Sequence, residues 1–334
     1  MNGARYLAAM IEKLKVRNFK TVRELDLPCK RYNLFIGDTN SGKTNILEAL
    51  SLVSQNTYRS SEEGIDRRMV RYGQLNDLFP GRDVSAELEV ETGILNARLG
   101  PEHDRFVLQL EDANAHHSTW RYLASGNQMG SPSGQLPLSN IRRYLYDPNV
   151  VFRFGSHAHL APPDGANLAS LLITNTLLAE EVSEILASKD LAFDVNPDTY
   201  VISLRHERAK RIVVQLPFNS LSETIKRYLF LYVAVRTNRD AVLLLDEPEQ
   251  NTFPFYTKHI AELMAREPSN QYFITTHNQY LLQSIIEKAP ENEVQVIATY
   301  RKEGATHTRV VPLPELRELM EYDLFLNLDR IVEA

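Results

Sequence analysis

Cysteine is nearly absent from this sequence, since Cys29 is the single one among 334 residues. One thiol forms neither an internal disulfide nor a zinc site built on cysteines, so we expect a reducing, cytoplasmic setting. Long hydrophobic runs are also missing, because no stretch of about 18 consecutive apolar residues occurs. No membrane span is therefore expected, and the opening MNGARYLAAM lacks the apolar segment of a signal peptide.

A surplus of positive charge is missing as well. Lysine and arginine number 37 against 43 aspartates and glutamates, which gives a formal net charge of −6. This excludes a polycation that coats nucleic acid and leaves DNA binding to a local basic patch. One such cluster could track a nucleic-acid backbone, although a solvated turn is the commoner explanation. It comprises Arg205, Arg208, Lys210 and Arg211.

What the chain does contain is an ordinary globular composition, with 43% hydrophobic and 24% charged residues. Continuous apolar runs typical of parallel strands covered on both faces occur at 32–36, 241–245 and 272–276. Residues 84–91 alternate strictly, which predicts a half-solvated antiparallel strand with 106–110 and 118–123 as neighbours. Further strands are predicted at 11–20, 200–204, 211–216, 294–300 and 307–311. Helices are predicted after residue 44, at 167–188, at 223–236 behind the N-cap Ser222, and from about Glu315. The fold class is therefore α/β.

A glycine-rich loop lies between the predicted strand 32–36 and the helix that follows it. Its sequence, GDTNSGKT, fits the phosphate-binding pattern G-x-x-x-x-G-K-[ST] without a mismatch. Backbone N–H groups and the helix N-terminus would face phosphate oxygens, Lys43 would reach the β- and γ-phosphates, and Thr44 would ligate Mg²⁺. The alternative, a chance match in a turn, is disfavoured by the flanking strand and helix. The residues expected to contact nucleotide are Gly37, Asp38, Thr39, Asn40, Ser41, Gly42, Lys43, Thr44 and Asn45.

An acidic pair follows the apolar run 241–245. Asp246 and Glu247 therefore emerge at the C-terminal end of a strand, the edge at which open α/β sheets bind ligands. Asp246 would hold Mg²⁺ through a water, and Glu247 would act as general base on the attacking water. The alternative is an acidic turn that caps a buried strand, which becomes weaker once a phosphate loop is present in the same chain.

A histidine follows the next apolar run. His277 comes after YFITT, again at a strand end, where an imidazole could sense the γ-phosphate by hydrogen bonding. The alternative is a loop histidine without a role. Its position one strand after the acidic pair favours the functional interpretation.

Taken together, these segments resemble a known group of ATPases. IEKLKVRNFK, GDTNSGKTNILEAL, LLLDEPE and ITTHNQYLL are similar to the ABC-type ATPase heads of the RecF, SMC/Rad50 and OLD group. The likeness is greatest to the stand-alone ATPases of bacterial defence and DNA-maintenance systems, which share a segment similar to LAPPDGANLASLLITN. The resemblance implies a mainly parallel core like that of an ABC-ATPase head, with an antiparallel β-subdomain at 84–124 and a helical lobe at 139–190. We accordingly expect residues 1–334 to form a single ABC-type ATPase domain.

The resemblance also assigns roles by position. Asp246 and Glu247 match the Walker B aspartate and the catalytic glutamate, and His277 matches the switch histidine. Residues 219–227, NSLSETIKR, stand where the group keeps its signature motif, so Ser222 would reach the γ-phosphate bound by the opposite subunit of a dimer. Thr224 replaces the signature glycine, Thr252-Phe253-Pro254 replaces a leucine-histidine-proline, and no Q-loop glutamine is placed.

The expected function is an ATP-hydrolysing switch with ATP and Mg²⁺ as ligands, acting as a homodimer or higher homo-oligomer. We expect neither heptad arms nor an added nuclease domain after His277, so a partner effector or nuclease would act in trans in DNA repair or anti-phage defence. The alternative is an ATP-locked scaffold that restrains an effector with little hydrolysis. A transporter motor and a small-molecule kinase fit the motifs less well.

Overall fold

The structure is a computed structural model that describes residues 10–57, 64–208, 212–321 and 324–327. Its chain divides into two compact units. The first unit comprises the residues up to Arg143, Asp240–Pro248 and the residues from Ser269 onward, and the second comprises Tyr144–Arg239 and Glu249–Pro268. The single-domain boundaries drawn from the sequence stay a prediction.

Sixteen strands and seven α-helices are formed by the described residues. The strands are β1 (Lys13–Phe19), β2 (Val22–Pro28), β3 (Tyr32–Ile36), β4 (Leu88–Glu91), β5 (Leu95–Glu102), β6 (Arg105–Asp112), β7 (His117–Tyr122), β8 (Ser133–Gly134), β9 (Ile141–Tyr144), β10 (Leu191–Val195), β11 (Ile202–Arg208), β12 (Ile212–Pro217), β13 (Val242–Asp246), β14 (Gln271–Thr275), β15 (Val294–Lys302) and β16 (Ala305–Val311). The helices are α1 (Lys43–Val53), α2 (Leu168–Thr174), α3 (Thr176–Ala187), α4 (Glu223–Thr237), α5 (Pro254–Arg266), α6 (Gln279–Lys288) and α7 (Leu313–Met320).

A six-stranded sheet forms the core of the first unit, in the order β16-β15-β3-β14-β13-β9. β3 pairs in parallel with β14 and β15, and β13 pairs in parallel with β14, whereas β16 is antiparallel to β15. Every residue of β3 and β14 is buried. Such strands are covered on both faces, which is why they read as continuous apolar runs in the sequence. The predicted parallel core is thereby confirmed.

A second sheet of the first unit is antiparallel and has the order β2-β1-β4-β5-β6-β7-β8. The strand predicted at 84–91 is shorter in the structure, because Asp83 accepts a hydrogen bond from the Ser85 N–H in a tight turn and regular pairing begins at Leu88. Its neighbours also differ from the prediction. β4 pairs with β1 and β5, while β6 and β7 pair with each other.

The second unit contains helices and a small sheet. The helix predicted at 167–188 is two helices, because Asn175 leaves the helical conformation and its side chain accepts the Leu178 N–H at 3.1 Å to start α3. The predicted helical lobe 139–190 begins with β9, and 145–167 form neither helix nor strand. Pro148, the Pro162–Pro163 pair and two glycines explain this, since they interrupt helical hydrogen bonding. β10, β11 and β12 form a three-stranded antiparallel sheet.

Packing between α4 and α5 organises the second unit further. The Tyr228 hydroxyl lies 2.6 Å from Nδ1 of His259, and the Tyr228 and Tyr256 rings are 4.9 Å apart between centroids. Glu181 of α3 accepts hydrogen bonds from Tyr232 and Arg236 of α4. Lys210 and Arg211 of the predicted basic cluster lie outside the described residues. Among those described, no helix is long and apolar enough to cross a bilayer.

Candidate nucleotide-binding site

The glycine-rich loop connects β3 to α1 within the first unit. Gly42 has a φ of 104°, and a Cβ there would lie 2.0 Å from Oγ1 of Thr306. Gly37 is also closely approached, since its Cβ would lie 2.0 Å from the carbonyl oxygen of Thr299. Only glycine fits either position, because a side chain meets both an unfavourable φ and an occupied space. The loop is therefore packed directly against β15 and β16.

Lys43 is folded inward over this loop. Its side-chain ammonium donates to the carbonyls of Gly37 at 2.8 Å and Asp38 at 2.9 Å, and lies 3.4 Å from Oγ of Ser41. The residue is only 5% exposed. A buried ammonium held by carbonyl dipoles is a point charge at the centre of the loop, in the position from which phosphate oxygens can be bound.

Two threonines, Thr306 and Thr21, hold the glycine-rich loop in place through hydrogen bonds. Thr306 donates from Oγ1 to the Ser41 carbonyl at 3.1 Å and lies 2.7 Å from the hydroxyl of Thr21. The Asn45 side-chain amide donates to the same Thr21 hydroxyl at 2.7 Å. Asn45, predicted among the nucleotide contacts, is thus placed where it braces the loop. Asp38 accepts the Thr39 N–H at 2.6 Å, and Asn40 has a left-handed φ of 61°.

The acidic pair lies beside this loop at the end of β13. Oδ1 of Asp246 accepts hydrogen bonds from the hydroxyls of Thr44 at 3.1 Å and Thr275 at 2.6 Å. Oδ2 accepts one from the Arg143 guanidinium at 3.1 Å. Thr44 and Asp246 are 202 positions apart in the sequence, and the parallel sheet brings their oxygens together.

Glu247 and His277 form a second pair at the same edge. Nε2 of His277 lies 3.3 Å from Oε1 of Glu247, and both side chains are more than a third exposed. Burial, with a smaller effect of Lys43, lowers the pKa of His277, so the imidazole is neutral at pH 7. Glu247 has a φ of 46°, and its N–H donates to both the carbonyl and the hydroxyl of Thr275.

Ser222 belongs to the second unit, whereas the other predicted site residues lie in the first. It is the N-cap of α4, as predicted, and its side chain accepts the Ile225 N–H at 3.4 Å. Thr224, which stands in place of the signature glycine, donates from its hydroxyl to the Asn251 carbonyl at 3.0 Å.

Sequence reasoning missed Arg143, Thr275, Thr306 and Thr21. Arg143 follows the buried residues Ile141 and Arg142 in a short strand, and a charged pair inside an apolar context was the available signal. The threonines carry no local signal, because a threonine in a strand is most often a β-former without a special role.

These residues fit a magnesium–nucleotide ligand. Mg²⁺ keeps several waters and takes only one or two protein oxygens in phosphate sites. A hydroxyl and a carboxylate oxygen 3.1 Å apart, next to an inward lysine, match that donor set. Among the described residues no group of three or more histidine, cysteine, aspartate or glutamate side chains could hold a metal ion by itself.

Comparison with known proteins finds a matching family and several relatives. Residues 33–283 match the family described as "AAA domain, putative AbiEii toxin, Type IV TA system". The chain is 30% identical over 92 residues to the DNA replication and repair protein RecF of Erwinia tasmaniensis, covering 27% of this chain and 25% of that protein. With RecF of Geotalea daltonii it shares 22% over 191 residues, covering 54% and 52%. The chain thus spans about a quarter to a half of the length of these relatives.

Solved structures show the same fold. The Smc head bound to the C-terminal winged-helix domain of ScpA superposes with a TM-score of 0.54 at 15% identity, covering 93% of this chain and 100% of that one. The Pyrococcus furiosus Smc head with an extended coiled coil gives 0.52 at 14%, covering 94% and 99%. The architecture is therefore that of an SMC head, in the P-loop NTPase class. The family match over three quarters of the chain, the loop and the acidic pair show that this protein belongs to that AAA family, within the ABC- and SMC-like P-loop ATPases of the RecF/Rad50 group.

Proposed function

We propose that the protein binds ATP with Mg²⁺, hydrolyses it, and acts as a molecular switch. The observation that carries this proposal is the meeting of three groups at one sheet edge: the inward Lys43, the Thr44–Asp246 pair and the Glu247–His277 pair. Phosphate binding, metal binding and activation of water each need one of these groups.

Each side chain has a distinct task in this proposal. Lys43 exchanges its contacts with the Gly37 and Asp38 carbonyls for phosphate oxygens. Thr44 and Asp246 hold Mg²⁺, which supplies positive charge to the phosphates when bound. Glu247 takes the proton of the attacking water, and neutral His277 donates or accepts a hydrogen bond through Nε2 beside it.

The proposed switch works as a homodimer or higher homo-oligomer in the cytoplasm. Ser222, at the N-terminus of α4, would offer its hydroxyl, together with the positive end of the helix dipole, to a nucleotide held by a second copy. ATP binding would close the assembly and hydrolysis would open it, moving a partner between two states. The relatives' name, DNA replication and repair protein, supports a nucleic-acid setting, and anti-phage defence through a partner effector or nuclease is the other proposed setting.

A scaffold with little hydrolysis is the second candidate. Thr224 fills the signature glycine position, and its hydroxyl is bonded to Asn251. A side chain at this position hinders the close backbone approach to phosphate that a glycine permits. ATP would then lock an oligomer that restrains an effector, with slow turnover.

The test combines ATPase rate with oligomer mass, with and without DNA. Wild type is compared with Lys43→Ala and Glu247→Gln, and Glu249→Gln serves as the matched acidic control. The switch predicts turnover by wild type and Glu249→Gln, an ATP-bound larger species trapped by Glu247→Gln, and neither property in Lys43→Ala.

The outcomes separate the two candidates. If ATP enlarges the assembly while wild type hydrolyses at background, the scaffold replaces the switch. If wild type does not bind ATP at all, both are wrong. A DNA effect on the rate would support a nucleic-acid partner, and its absence would direct the search toward a protein partner.

A further inference from the structure

Arg143 is a buried cation directly beside the proposed magnesium ligand. It lies in β9, next to β13 in the six-stranded sheet, and is 2% exposed. One side-chain nitrogen donates to the Met69 carbonyl at 2.5 Å and the other to Oδ2 of Asp246 at 3.1 Å. Two anchors on one planar group fix where the charge sits.

The carboxylate of Asp246 is divided between two kinds of partner. Oδ1 faces the hydroxyls of Thr44 and Thr275, whereas Oδ2 faces the guanidinium. The Thr44 side of this carboxylate is the one available to a metal ion in the proposed function. The Arg143 side already carries a full positive charge, about 6 Å from an ion bound directly by the other oxygen and about 8 Å from one held through a water.

Two like charges so close in a partly buried place repel strongly, because little water screens them. Other charges around Arg143 include Glu48, which is fully buried on α1, and the cations Arg71 and Lys20. Glu48 is itself ion-paired with Lys20 and Arg71, which neutralise its charge. The positive charge of Arg143 therefore acts mainly on Asp246. The guanidinium therefore neutralises the carboxylate when no metal is there.

We propose that Arg143 is a built-in counter-ion that keeps free Mg²⁺ out of the Asp246 site, so that the metal enters only together with a nucleotide. The phosphate charges of the nucleotide offset the repulsion that free Mg²⁺ meets. Arg143 is thus a positioning residue that acts through Asp246, and the proposal rests on the magnesium role proposed for Thr44 and Asp246. It adds an order to binding that the motif residues alone do not specify.

The test measures binding of Mg²⁺ alone and of Mg²⁺ with ADP, by calorimetry and by the shift of the melting temperature. Arg143→Gln removes the charge, Arg143→Lys keeps it, and Arg142→Gln is the matched control. Arg142 is also buried on β9, and adjacent strand residues face opposite sides of the sheet. Asp246→Asn reports whether any metal binding depends on the proposed ligand.

The expected result is that Arg143→Gln binds Mg²⁺ alone about tenfold or more tightly than wild type. Arg142→Gln and Arg143→Lys stay at the wild-type value, and the double variant Arg143→Gln/Asp246→Asn loses the gain. Unchanged or weaker binding of Mg²⁺ alone by Arg143→Gln overturns the proposal.

Should Arg143→Gln not fold, Arg143→Met removes the same charge with an apolar side chain and decides in its place. Tighter binding of Mg²⁺ alone by Arg143→Met supports the counter-ion role, and unchanged or weaker binding overturns it. If wild type binds ADP with no dependence on Mg²⁺ and Asp246→Asn changes nothing, the proposed magnesium site itself fails, which is a different outcome from failure of Arg143 alone.

Discussion

Glu247 has an unusual backbone conformation for a residue other than glycine. A non-glycine residue with a φ of 46° costs about 1 kcal/mol or more relative to a right-handed conformation. Two hydrogen bonds from its N–H to Thr275 hold it there. Oε1 of the carboxylate lies 3.3 Å from Nε2 of His277, which is consistent with the role of a general base proposed for Glu247.

The neighbouring His277 gives a pH prediction. Its pKa is lowered in the folded protein, so the unfolded chain binds the proton more readily just below the ordinary value of 6.5. The free energy of unfolding is therefore highest, as far as His277 affects it, above pH 6.5, where the imidazole is neutral. It decreases as the pH falls below 6.5. His277→Gln should reduce the change in the free energy of unfolding between pH 5 and 7.5. The reduction should be less than about 1 kcal/mol, because water screens a part-exposed ring.

Urea unfolding at a series of pH values measures this effect. His117→Gln, a change at an exposed histidine in β7, is the control and should keep the wild-type profile. If the free energy of unfolding changed with pH in the same way for wild type and His277→Gln, the lowered pKa of His277 would be contradicted.

At the scale of single elements, the Ser222 side chain at the start of α4 has two roles, one structural and one proposed. Ser222 caps the helix, and the same serine is proposed to meet a phosphate. Ser222→Ala should lower the free energy of unfolding by about 1 kcal/mol, while Ser222→Asp should keep the cap, since aspartate is an equally good N-cap.

The two variants separate stability from nucleotide response. Chemical denaturation measures the cap, and the mass of the ATP-bound assembly measures the phosphate contact. An aspartate would repel the γ-phosphate, so Ser222→Asp should be stable yet fail to assemble with ATP. Normal ATP-dependent assembly of Ser222→Asp would exclude the phosphate role.

Elements were predictable where their residues carry the signal locally. The apolar runs of β3, β13 and β14 and the capped helix α4 were predicted within about two residues. β5 was missed because its end contains Gly100 and Pro101, which are unfavourable in strands. The break at Asn175 was missed because leucines on both sides continue the helical pattern.

For the whole molecule, the division into two units leads to a testable expectation. Trp120 is the single tryptophan and is buried in β7 of the first unit, so its fluorescence reports on that unit alone. The proposed nucleotide loop lies in the same unit. ADP with Mg²⁺ should therefore raise the melting temperature measured by tryptophan fluorescence more than the melting temperature measured by far-UV circular dichroism. The circular dichroism signal also includes the second unit, to which the ligand is not expected to bind.

Lys43→Ala is the control, because it should unfold normally and lose the response to ADP. A ligand shift of equal size by both probes would mean that the two units unfold as one cooperative body. A shift that survives in Lys43→Ala would place the nucleotide elsewhere.

The sequence by itself determined the α/β class, the phosphate loop, the strand ends that carry Asp246 and His277, and the cap at Ser222. Each of these depends on neighbours within about ten residues, because periodicity, capping and loop chemistry are local. The tertiary structure alone decided that Arg143 pairs with Asp246 across 103 positions and that Thr306 supports Ser41 across 265. Such pairs depend on which strands become neighbours, and strand order is set by how the whole chain buries its apolar faces.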